Sequence, residues 1–137
     1  MSTFQIFTDA GLTSPLTGSL DFAQSFDGST GAVTATLYIG SAASGLTMRA
    51  ASNPGVDPII VTITDSVPAS GSPASDVTLA LEPTFAGRTA GAPLNIGTQV
   101  NSGVAAAVAV YVKVHDSTGT IGMNTDLSLV VTPAEVI

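Results

Sequence analysis

Val104-Ala105-Ala106-Ala107-Val108-Ala109-Val110-Tyr111-Val112-Lys113-Val114-His115-Asp116 is the stretch that decides the fold. From Val108 it alternates. Val108, Val110, Val112 and Val114 point one way, and Ala109, Tyr111, Lys113 and His115 point the other. Successive side chains of a strand lie on opposite faces, so the valines line one face. A helix would scatter them around its circumference. β-branched residues suit a pleated, half-buried surface. The reading is a long strand at the centre of an antiparallel sheet, with the other strands covering its valine face.

Outward from this strand, similar patterns recur. Ala32 to Gly40 alternates, with Val33, Ala35, Leu37 and Ile39 on one side and Thr34, Thr36 and Tyr38 on the other. Ile59 to Asp65 places Ile59, Val61 and Ile63 inward. Asp76 to Glu82 does the same with Val77, Leu79 and Leu81, and Leu127 to Val131 with Leu127, Leu129 and Val131. Leu20, Phe22 and Phe26 carry a further strand, Ser19 to Phe26, with a weaker one at Leu46 to Ala50 and a short one at Leu94 to Ile96. Between them lie turn clusters: Asp27-Gly28-Ser29-Thr30-Gly31, Asn53-Pro54-Gly55, residues 66–75, residues 84–93, Asn101-Ser102-Gly103 and Asp116-Ser117-Thr118-Gly119. Seven to nine short strands with no convincing helix predict an all-β, Ig-like antiparallel sandwich, with a closed barrel second. The cysteine pair and core tryptophan of antibody domains are absent. Residues 1–18 are expected to be an N-terminal arm or the first strand, and residues 19–137 the sandwich.

The chain's 137 residues suit one domain, and it has no cysteine, so disulfides and thiolate metal sites are excluded. Met1 to Asp9 has no basic n-region and no apolar h-region, which argues against a secretory signal. No apolar run approaches the ~20 residues of a membrane span. Charge is sparse, at 9% of residues. Arg49, Arg88 and Lys113 face ten acids, for a net charge of −7. Nucleic acid and anionic membranes need clustered Lys and Arg, so neither is an expected partner. Ser, Thr, Ala and Gly stand where charges usually do, giving a surface that is cheap to desolvate and suited to packing against other subunits.

Candidate chemistry is thin. His115 is the single histidine. Its neighbour Asp116 points to the opposite face and cannot orient it as a catalytic triad requires. The acids sit mostly at strand ends and turns, and no Asp-x-Asp-x-Asp-Gly run marks a calcium loop. Gly87-Arg88-Thr89-Ala90-Gly91 lacks the lysine and strand–helix context of a phosphate loop. A sugar platform needs aromatics, yet there is no Trp and only Tyr38 and Tyr111. The chain is therefore read as a non-enzyme without cofactor or metal. Partner-binding candidates are Phe4, Ile6 and Phe7, as a docking arm that adds a strand to a neighbour, and the rare cations Arg49 and Arg88.

Several segments carry a family likeness: Gly91-Ala92-Pro93-Leu94-Asn95-Ile96-Gly97, Val108 to Val114, Thr118-Gly119-Thr120, Asn124-Thr125-Asp126-Leu127-Ser128-Leu129, and Leu37-Tyr38-Ile39-Gly40. Together they resemble small virion proteins of tailed bacteriophages, the Ig-like sandwiches that decorate capsids or sit on tails. The resemblance implies a capsid decoration (cement) protein that is made in the host bacterial cytoplasm and resides in the virion. Its partners would be the major capsid protein or other virion subunits. It would act as a homo-oligomer, a trimer being the simplest arrangement. A tail or baseplate component is the first alternative, and a carbohydrate-binding adhesin module the second. No functional residue of that family is matched here.

Overall fold

A computed structural model describes residues 4–16, 32–65, 74–115 and 127–137. The expected strand at 19–26, the turn at 27–31, loop residues 66–73 and the 116–120 loop lie outside the described residues. The rest is all-β and antiparallel. Among the described residues ten strands occur in chain order: β1 Gln5–Phe7, β2 Val33–Gly40, β3 Thr47–Ala50, β4 Ile60–Asp65, β5 Val77–Ala80, β6 Leu94–Asn95, β7 Gln99–Asn101, β8 Val108–Val114, β9 Leu127–Val131 and β10 Ala134–Val136. The alanine run before the valine strand forms one 3-10 turn, Val104–Ala106.

The valine strand is interior, as its alternation predicts. The first sheet runs β1-β2-β8-β5. β8 pairs with β2 from Val33↔Val114 to Ile39↔Val108, and with β5 from Val77↔Val114 to Ala80↔Tyr111. Cross-strand partners share a face, so Leu37 meets Val110 and Leu79 meets Val112 on the inner side.

The remaining strands form two three-stranded sheets, β10-β3-β7 and β6-β4-β9. They join into one bent sheet. The Ala50↔Ala134 pairing continues through Ala51 N–H to Pro133 O at 2.8 Å and Thr132 N–H to Ile60 O at 2.9 Å into Val61↔Val131. On the other flank, Arg49↔Gln99 continues through Ile59 N–H to Gly97 O and Ile96 N–H to Ile59 O into Ile60↔Asn95. All three lines break at the same level. The middle line makes an exposed excursion between Ala51 and Ile59. One flank has Pro133, whose missing N–H suits a bulge, and the other has Gly97 at φ +107°, which a side chain would oppose.

Both sheets turn their apolar faces onto a single core. Leu37, Ile39, Leu79, Val110 and Val112 of the first sheet meet Met48, Ile59, Val61, Ile63 and Val100 of the second. The chain crosses between the layers after β2, β4, β5, β7 and β8. That is a sandwich-like arrangement. Each fully buried aliphatic side chain here removes apolar area worth about 2 kcal/mol.

Three expectations fail in detail. Leu81 is half exposed, not inward. β5 stops at Ala80, where its ladder with β8 ends, and the chain turns at once through Phe85 N–H to Glu82 O, with Pro83 unable to extend a ladder. Asp76 belongs to a 3-10 turn, Ala74–Asp76, ahead of the strand. β7 and β10 have no counterpart in the sequence reading, since each is three residues long and carries little alternation.

Candidate binding surface

Phe4, Ile6 and Phe7 are placed by β1, which lies on the chain's own sheet through Gln5↔Gly40, Ile6↔Ile39 and Phe7↔Tyr38. Phe4 and Phe7 are buried, and Ile6 packs against the core. Of the two readings for this segment, arm or first strand, the structure has the strand. Phe4 and Ile6 face the core between the sheets, whereas Phe7 shares the outer face of Tyr38 and is buried there outside the core cluster. Leu12 joins them, buried at φ +55°. It lies over Gly40, where an added Cβ would come within 3.2 Å of Leu12 Cδ1 and 3.1 Å of Ala107 Cβ.

The return from β1 is held by Asp9. Its carboxylate accepts from Thr13 N–H at 3.0 Å, Thr13 Oγ1 at 2.7 Å and Ser14 N–H at 2.8 Å. The bonds from the Thr13 side chain and the Ser14 backbone hold its pKa below the ordinary 3.8. A carboxylate with a lowered folded pKa adds stability that is present above its unfolded value and lost as pH falls through the folded one. Acid titration followed by the amide shifts of Thr13 and Ser14 should therefore give a midpoint below 3.8. A midpoint at or above that value would mean the turn does not depend on the ionised Asp9.

Neither arginine stands free. Arg49, outward on β3, pairs with Glu135 on β10 at 2.6 Å, as the Glu135↔Arg49 register dictates. Arg88 donates through Nε to Leu79 O and through a terminal nitrogen to Pro93 O, both at 2.7 Å. The third cation, Lys113, sits 4.8 Å from the centroid of the Phe85 ring. Both proposed anchors are thus engaged inside the chain. His115 is exposed at the end of β8, its N–H donating to Asp76 O, while Asp116 lies outside the described residues. Among the described residues, no three His, Asp or Glu side chains gather as metal ligands.

Two features went unnoticed in the sequence. The first is on the outer face of the β1-β2-β8-β5 sheet. The pairings Thr36↔Tyr111 and Tyr38↔Ala109 make the two tyrosines diagonal neighbours, both half-buried, beside Thr34 and Thr36. They are 73 residues apart in the chain (111 − 38), so only the register brings them together. The second is the outer edge of β9, where no charged side chain occurs from Leu127 to Ala134 and Val130 is 49% exposed. The signal for it was that uncharged run, read only as a core strand.

With this geometry in place, the chain was compared with known proteins: no family model, no curated protein and no solved structure matches it. No helix among the described residues is long and apolar enough to cross a membrane.

Proposed function

We propose that this chain is a structural subunit that works by protein–protein contact, an Ig-like sandwich of the capsid-decorating kind carried by tailed bacteriophages. The observation that supports this reading is the state of its charges. All three cations are engaged inside the chain, by Glu135, by backbone carbonyls and by an aromatic ring. The strand faces offer Thr, Ser, Ala and Val to the outside. Such a surface loses little on desolvation and suits broad contact with a capsid subunit. Among the described residues, His115 stands exposed at the end of β8, and the proposal assigns the chain no catalysis.

The test is co-sedimentation of the full chain with empty phage shells. Saturable binding at a fixed ratio to capsid protein is expected, and it should change little between low and high salt because few charges take part. Absence of binding to shells, with the protein found at ring stoichiometry on tails, would transfer the reading to a tail component. The adjacency of Tyr38 and Tyr111 favours one further reading, a face on which a sugar ring stacks. A glycan array with no hit dependent on Tyr111 removes it.

A further inference from the structure

We propose that two copies of this chain pair edge to edge along β9, antiparallel, about a twofold axis at Leu129. This goes beyond the virion reading and does not depend on it. The argument begins with which backbone groups are already used. Thr132 N–H donates to Ile60 O, and hydrogen-bonded pairs alternate along an antiparallel ladder. Val130↔Thr62 and Ser128↔Thr64 are therefore the bonded pairs, and Leu127, Leu129 and Val131 turn their N–H and C=O groups away from β4.

The other edges are closed or broken. β1 is covered by its own return, through Leu16 N–H to Ile6 O and Thr8 N–H to Ser14 O. β5 is covered by Gly91 N–H to Val77 O and by Arg88 on Leu79 O. The β6–β7 edge is interrupted at Gly97, whose N–H is taken by Asn95 Oδ1. β9 runs five residues without a break, and among the described residues nothing pairs with its outer side. Natural sheets protect such an edge with charge, proline or a bulge. Here Pro133 follows β9 and leaves it untouched.

The occupant is a second copy because the strand is complementary to itself. Pairing about Leu129 sets Leu127 against Val131 of the second copy, exchanging both bonds at each step. On the outer face, Ser128 and Val130 come opposite one another, both small and uncharged. The net charge of −7, with Asp126 next to Leu127 in the sequence, opposes close approach of two copies, but β9 itself carries no charge and Glu135 beyond it is paired with Arg49. The product is one continuous sheet running through both molecules, closed by a twofold axis.

Sedimentation velocity over a concentration series tests this without any shell. The wild type is expected to form a dimer with a dissociation constant tighter than ~1 mM. Ser128→Lys with Val130→Lys sets like charges directly opposite and should weaken it roughly tenfold or more. Ser128→Glu with Val130→Lys sets opposite charges in the same places and should restore it. Both side chains face outward, and unchanged thermal melting confirms that each variant is folded. A wild type monomeric to ~1 mM, a trimeric mass, or a dimer indifferent to the lysine pair would each overturn the proposal.

Discussion

Val110→Asp is expected to leave the chain unfolded in water. Val110 is 1% exposed, lies opposite Leu37 and is a member of the single core shared by both sheets. A carboxylate there has no cation near it, since each of the three is engaged elsewhere. Ionised, it carries a desolvation penalty of several kcal/mol, and protonated it still leaves a polar group without a partner, at roughly 1–3 kcal/mol. The lost valine contacts add about 2 kcal/mol more. The sum rivals the 5–15 kcal/mol that holds a domain of this size together. Thr34→Asp is the matched control, because Thr34 is exposed on the outer face of the neighbouring strand. A change within about 0.5 kcal/mol is expected there. Urea unfolding followed by far-ultraviolet circular dichroism reads both. A wild-type transition in Val110→Asp would show that the valine face is not the core.

That contrast rests on period-two alternation, the part of this fold that was legible in the residues. Val33 to Gly40, Ile59 to Asp65 and Val108 to Val114 each carry at least three alternations, and each is a strand with the expected side inward. The tie-breaks that sequence lacked are of two kinds. β7 and β10 are formed by pairing with β3, and three residues with one or two apolar positions carry too little pattern to announce a strand. Leu81 fits the alternation of β5 yet leaves it, because the local turn through Glu82 and Phe85 outweighs a single half-buried side chain. The candidate surfaces were less legible than the fold. Rarity drew attention to Arg49 and Arg88 as anchors for a partner. Rarity does not say which carbonyl or carboxylate lies nearby, and here Glu135, Leu79 O and Pro93 O lie nearby. Register alone makes neighbours of Tyr38 and Tyr111, and pairing parity alone turns the backbone of Leu129 outward.

Arg88→Ala is expected to lower stability by about 2 kcal/mol and to open the β5 edge. The long connection from 81 to 93 reads as loose in sequence, with two glycines, two prolines and no alternation. It is pinned at three points: Arg88 on the carbonyls of Leu79 and Pro93, Gly91 N–H on Val77 O at 2.8 Å, and the Phe85 ring against Lys113. Hydrogen bonds from a charged donor contribute about 1.5–3 kcal/mol each when sheltered, and less when exposed, as the Pro93 bond is. Truncation also leaves Leu79 C=O without its partner at the rim of a buried strand. Gly91 itself resists replacement, since it sits at φ +83° with Ser75 Cα 3.3 Å from where a Cβ would be. Arg88→Lys should recover less than half of the loss, because one ammonium cannot reproduce a fork that reaches two carbonyls. Denaturant unfolding gives the stability change, and amide exchange at Gly91 gives the local one, with protection falling in Arg88→Ala well before global unfolding. Unchanged protection there would mean that Phe85 and Gly91 suffice to hold the loop. The β5 edge would then stay closed without the arginine, and Arg88 would contribute to global stability alone.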